Sequence, residues 1–203
     1  MLFNLGGIKM QYLYFIQQAL IWIITIYWIY QLVVSICSFI TLKEKPLIEK
    51  KNHKFLAIIP AHNEEAVVGN LIESLQKQNY PKDKYDICVI ADNCTDKTKE
   101  VAEKYKVKVF ERHEDDPTKK TKGEALRLFL NTLLSDPKMD YDAFFVFDAD
   151  NIVDKNFIKA MNKHLCQGEE VVQGYRDIKN PTDSWVASGY AIFYWTMNRF
   201  YHL

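Results

Sequence analysis

The chain of 203 residues carries no excess charge, 26 basic against 26 acidic side chains, so it lacks the basic footprint on which nucleic-acid binding rests. It also lacks any useful grouping of cysteine. Of its four cysteines, Cys37 falls in an apolar run, while Cys88, Cys94 and Cys166 are scattered without a Cys-x-x-Cys pair or His-rich ligand spacing. That pattern excludes a zinc module and a disulfide framework. Internal repeats and low-complexity stretches are absent. So is the Gly-x-x-x-x-Gly-Lys-Ser/Thr signature of a P-loop, which weakens a phosphotransferase reading. Charge is missing locally as well. From Gln11 to Leu42 there is no charged residue and no histidine, a run longer than the roughly 20 residues needed to cross a bilayer.

This run predicts one transmembrane helix over about residues 12–42, the core of an N-terminal anchor spanning 1–45. A cleaved signal peptide would have a shorter apolar region followed by small residues, not by Thr-Leu-Lys-Glu-Lys-Pro. Lys43, Lys45, Lys50, Lys51 and Lys54 follow the run and only Lys9 precedes it, so the positive-inside rule places the remainder of the chain in the cytoplasm, at the cell membrane. There Asn93-Cys94-Thr95, formally a glycosylation acceptor, would never meet its enzyme.

After a basic connector, Lys43 to Lys54, short β-rich runs alternate with segments of helical period, which predicts an α/β fold. The expected strands are Phe55–Ile59, Asp86–Ala91, Val107–Phe110, Ala143–Phe147 and Glu170–Gly174. Most are short and almost continuously apolar, as in a mostly parallel sheet with helices on both faces. The expected helices are Glu64–Gln78, with Asn63 as N-cap, then Asp96–Tyr105, Lys122–Leu134 and Asp154–Leu165. Asp183 to Leu203, rich in aromatics, predicts an amphipathic or interfacial helix, or a core helix.

In such sheets ligands bind beyond the carboxyl ends of the strands, and polar residues gather there. The first strand leads into Pro60-Ala61-His62-Asn63-Glu64-Glu65, the second into Asp92-Asn93-Cys94-Thr95-Asp96, and the fourth into Asp148-Ala149-Asp150-Asn151. Asp148 and Asp150, separated by one small residue, can aim two carboxylates at one hard cation that also binds phosphate, or can simply cap a turn. Asp92 can accept a hydrogen bond from a base or ribose, or make an Asx turn. Asp96 reads as a helix cap, and His62 as a structural hydrogen-bonding residue or a site residue. Glu111 to Lys122 reads as a solvated charged loop, except that Lys122-Gly123 opens a helix where backbone N–H groups and a lysine can hold phosphate.

Ile-Pro-Ala-His-Asn-Glu-Glu, Ala-Asp-Asn-Cys-Thr-Asp, Lys-Gly-Glu-Ala-Leu and Phe-Asp-Ala-Asp-Asn occur in this order with βαβ spacing. The order resembles family-2 glycosyltransferases of the Rossmann-like GT-A fold over roughly Phe55 to Gly174, and looks closest to the membrane-bound group of cellulose, chitin, hyaluronan and poly-N-acetylglucosamine synthases. The resemblance implies a UDP-sugar donor, a glycan or lipid-linked acceptor, and Mg2+ or Mn2+. It implies that Pro60, Ala61, His62 and Glu64 border the nucleoside, that Asp92 contacts uracil, and that Lys122 and Gly123 lie near the uridine or diphosphate. It places Asp148 near the ribose and metal, and makes Asp150 the direct metal ligand.

The expected organisation is thus the anchor followed by a GT-A domain over 46–203, read as a C-terminally incomplete donor-binding half. The family's later catalytic carboxylate has no counterpart here, since Glu114-Asp115 comes too early, and Gln173-Gly174-Tyr175-Arg176-Asp177 departs from the Gln-x-x-Arg-Trp motif of processive synthases. Two readings stay open: a membrane-anchored inverting glycosyltransferase, or an inactive UDP-sugar-binding or assembly fragment. A nucleotidyltransferase or phosphotransferase is a third.

Overall fold

The computed structural model describes residues 4–37 and 51–200. The chain divides into two compact units, Pro46–Gly174 and a second made of Met1–Lys45 with Tyr175–Leu203.

The first unit is built on one four-stranded parallel sheet in the order β3-β2-β1-β4. The strands are β1 (Phe55–Ala61), β2 (Tyr85–Asp92), β3 (Lys108–Arg112) and β4 (Ala143–Val146). Every residue of β1 is buried. Because side chains alternate along a strand, this central strand feeds two cores. Phe55, Ala57, Ile59 and Ala61 pack with Val68, Leu71, Ile72 and Leu75 of α2 (Val68–Gln76), Ala102 of α3 (Thr98–Lys104) and Ile158 of α5 (Phe157–Cys166). Leu56 and Ile58 turn the other way, joining Cys88 and Ile90 of β2 and Ala125 and Phe129 of α4 (Lys122–Leu134). Helices therefore cover both faces, which explains the unbroken apolar runs. Burying each such aliphatic side chain is worth about 1.5–3 kcal/mol before entropy is subtracted.

Strands β1 to β4 and helix α4 match expectation closely, α4 to the residue. Glu170–Gly174 does not form a strand. Val171 is almost fully exposed there, so its two valines gain neither a ladder partner nor an apolar face. Helix α2 begins at Val68 rather than Glu64, and Asn63 is not its N-cap: its backbone is left-handed, with φ 55°. The Glu64 carbonyl instead closes a turn by accepting from the Val67 and Val68 amides. Helix α5 starts only at Phe157, after Asp154 has closed a tight turn onto Asn156 and Phe157.

In the second unit, α1 runs from Asn4 to Cys37. Its apolar stretch Met10–Cys37, 28 residues long, is a candidate membrane span by length and composition. It starts earlier than expected, and residues 38–42, with Lys43, Lys45, Pro46 and Lys50 of the connector, lie outside the described residues. Helix α6 (Trp185–Phe200) confirms a helix in the aromatic tail, whose last residues, 201–203, also lie outside them. The Ser184 hydroxyl accepts from the Ala187 amide at its start, and the Trp195 indole and Asn198 amide tie it to Asp177 and Arg176.

Candidate functional site

The parallel register decides which residues meet at the carboxyl ends of the strands. Ala61 on β1 sits beside Ala91 on β2, and Asp92 beside Arg112, the last residue of β3. Arg112 Nη1 donates to Asp92 Oδ1 at 2.8 Å, with only 5% of the arginine side chain and 12% of the aspartate side chain exposed. Nη2 donates to the Lys119 carbonyl at 2.9 Å and lies 3.4 Å from Glu114 Oε2. The apolar pattern of β3 ends at Phe110, and the charged run after it reads as solvated surface. The signal that could have found Arg112 was its place two residues beyond an apolar strand, where a charge can turn inward toward a neighbouring strand end.

The first two loops are stitched together by polar side chains. Asn63 Oδ1 accepts from the Thr95 amide at 2.8 Å, and the Glu64 amide donates to Thr98 Oγ1 at 2.8 Å. Asp96 accepts from the amides of Glu65 and Thr98, so it closes a turn just ahead of α3, whose N-cap position is Lys97, and bridges the two loops. Burial pushes its carboxyl up, but the hydrogen bonds from Thr98 and Glu65 outweigh that and leave it below the ordinary range. His62 is exposed, yet its Nδ1 donates to the Asp92 carbonyl at 2.7 Å, which fixes the ring against the β2 loop. Pro60 and Ala61 are buried as part of β1, and Glu64 is half-buried. His62 and the β1 loop therefore do lie against Asp92, as their motifs suggested.

The fourth loop leaves β4 through Phe147, whose amide donates to the Ile58 carbonyl and so carries the strand alignment up to Asp148. Asp148, Ala149, Asp150 and Asn151 then form a turn closed by Asn151 N to Asp148 O, 3.0 Å. The Asn151 side-chain amide, oriented to satisfy both its ends, spans this turn between Asp150 Oδ1 and the Asp148 amide. Ala149 is buried, and Asp150 is exposed. The Lys122 ammonium pairs with Asp148 Oδ1, joining the start of α4 to the end of β4. Thr121 caps that helix by accepting from the Glu124 amide, and a Cβ added at Gly123 would meet no atom within 4 Å, so the backbone there stands open.

Among the described residues no group of three or more His, Cys, Asp or Glu side chains is placed to hold a metal by itself. Two neighbouring carboxylates and no third fit a hard divalent cation that completes its shell with water and phosphate oxygens, rather than one in an all-protein cage. The structure thus collects two groups at one end of the sheet: Asp92 with His62 and Arg112, and Asp148 and Asp150 with Lys122.

Residues 56–202 match the sequence family described as Glycosyl transferase family 2. A Bacillus subtilis (strain 168) protein named "Probable glycosyltransferase YdaM" is 28% identical over 149 residues, covering 70% of this chain and 34% of that protein. A beta-monoglucosyldiacylglycerol synthase of Nostoc sp. (strain PCC 7120 / SAG 25.82 / UTEX 2576) is 33% identical over 139 residues, 65% of this chain and 28% of that one. The chain thus spans about a third of the length of these curated relatives. In fold it is similar to a Pyrobaculum calidifontis mannosyltransferase, PcManGT, solved with GDP-Man and Mn2+, with a TM-score of 0.56 and 16% identity over 78% of this chain and 45% of that one. A parallel, helix-covered GT-A sheet, the ordered motifs at its carboxyl edge and a family match over most of the chain lead to one assignment: this chain belongs to glycosyl transferase family 2.

Proposed function

We propose that this chain is the donor-binding part of a membrane-anchored, metal-dependent inverting glycosyltransferase that moves a sugar from a UDP-sugar to a glycan or lipid-linked acceptor. The observation that carries this reading is the pairing of Lys122, at the start of α4, with Asp148 at the end of β4. It sets a cation, open helix amides and the Asp148–Asp150 turn side by side, which is the chemistry a diphosphate demands.

In this reading the nucleoside lies against Pro60, Ala61, His62 and Glu64, with Asp92 accepting from uracil. Lys122 and the amides around Gly123 face the uridine or diphosphate. Asp148 and Asp150 would hold Mg2+ or Mn2+, with Asp150 as the direct ligand, and such a cation, when bound, draws charge from the departing nucleoside diphosphate. Lys122 adds positive charge at the same place, and the ordered backbone around it needs little reorganisation as the bond from sugar C1 to the diphosphate breaks. Helix α1 supports anchoring. Lys51 and Lys54 after the span, with Lys43, Lys45 and Lys50 in the sequence between, support a cytoplasmic site.

Calorimetric titration of the detergent-solubilised chain with UDP, with Mn2+ and then with excess chelator, tests the donor site, with GDP and ADP as controls. Mn2+-dependent binding selective for UDP is expected, and its loss in Asp150→Ala. Equal UDP affinity in that variant and the parent would remove the metal assignment, and preference for GDP would replace uracil as the base.

A further inference from the structure

We propose that Arg112 is a positioning residue that sets nucleobase specificity, by locking the Asp92 carboxylate so that it accepts a hydrogen bond from the imino N–H of uracil. The proposal rests on the donor reading above, in which the base lies against Asp92, and adds the residue that makes Asp92 selective.

Both described contacts of this carboxylate, from Arg112 Nη1 and from Asn93 Nδ2, each 2.8 Å, fall on Oδ1. Oδ1 is thereby committed to Arg112 and Asn93, and Oδ2, with no described hydrogen bond, is the acceptor assigned here to the base. A carboxylate accepts and cannot donate, so it demands a base that presents an N–H. Uracil offers N3–H at its Watson–Crick edge and guanine N1–H, whereas the ring nitrogens of cytosine and adenine at that edge are acceptors, so the carboxylate favours uracil over cytosine and adenine and leaves guanine to be excluded by its larger ring.

Arg112 is suited to this task by its own fixation. Its guanidinium is buried, and its second nitrogen donates to the Lys119 carbonyl, in the short turn Pro117–Lys119 that leads to Lys122. Its backbone carbonyl accepts from the Asn93 amide at 2.8 Å, and Asn93 Oδ1 accepts from the Glu114 amide at 2.8 Å. The loops after β2 and β3 are thus closed around one planar fork. A lysine, a point charge with rotatable donors, would reach Asp92 without fixing its plane.

The test is titration of the detergent-solubilised chain, with Mn2+ present, by UDP and by N3-methyl-UDP, which has no imino N–H. The parent is expected to prefer UDP by roughly tenfold to a hundredfold, the scale of one hydrogen bond to a charged acceptor. Arg112→Met is expected to bring that ratio to within about twofold of unity by weakening UDP selectively, with Arg112→Lys between the two. A merely structural arginine would weaken both nucleotides together and leave the ratio at its parental value, which would overturn the proposal.

Removing Arg112 strands a buried carboxylate and can unfold the chain, so a thermal melt accompanies each variant. If Arg112→Met does not fold, Arg112→Lys decides: a reduced ratio supports the proposal and a parental ratio overturns it. A parent that binds both nucleotides equally overturns this proposal while leaving the donor site standing. A parent that binds neither removes the donor reading and the proposal together.

Discussion

Strand β2 carries two carboxylates, one near each end, and their surroundings give them different work. Asp92, at the carboxyl end, is buried against Arg112 beside the candidate nucleotide site. Asp86, near the amino end, accepts from Lys108 and Tyr141 at the surface. Between them Cys88 is only 4% exposed, and burial pushes its thiol up to about 12. Cys88 is therefore expected to resist alkylation by iodoacetamide at neutral pH until the sheet unfolds, as peptide mass mapping along a urea series would read. Asp96→Ala removes a turn ahead of α3 and a bridge between two loops. It is expected to lower stability by about 1–2 kcal/mol in a denaturant titration, most of it from the stranded amides of Glu65 and Thr98.

Among the elements, β1, β2 and α2 supply most of the core. Leu71 on α2 is fully buried in it, so Leu71→Ala is expected to cost about 2–5 kcal/mol in urea unfolding. Leu128, on the outer side of α4 and 43% exposed, should cost well under that when truncated. The strand starts are held by a polar network instead: Lys54 pairs with Asp140, its amide donates to Asp142, and Lys108 joins Asp86 and Tyr141. Burial alone would raise the Asp86 carboxyl, but the hydrogen bonds from Tyr141 and Lys108 outweigh it and hold the group below its ordinary 3.8. A carboxylate depressed in the folded state adds stability that is present above its unfolded value and lost as pH falls through its folded value. The stability gap between the parent and Asp86→Asn should accordingly be constant from neutral pH down to about 4 and close below that, as followed by urea midpoints against pH. Because Asp86 is more than a third exposed, the gap should be small.

At the scale of the whole molecule, α1 predicts that the full chain stays in the membrane pellet after alkaline carbonate extraction, whereas a chain beginning at Pro46 is released; release of the full chain would remove the anchor. The long apolar helix was legible in the sequence because an uncharged run needs no partner to be recognised. The parallel sheet was legible for a similar reason, since a strand buried on both faces must be apolar throughout, and the places of Asp148, Asp150 and Lys122-Gly123 at the ends of β4 and α4 could be read from the same element boundaries. Glu170–Gly174 failed because β propensity says nothing of whether a ladder partner is present. Asn63 failed as a cap because its side chain reached Thr95, about thirty residues away, in place of its own helix. By itself, then, the sequence determined the layers, the order of the motifs and the kinds of residue at the strand ends, all of which follow from local periodicity and composition. Only the tertiary structure decided that Arg112 would face Asp92 and Lys122 would face Asp148, because parallel register and crossover connections bring together residues that no local pattern links.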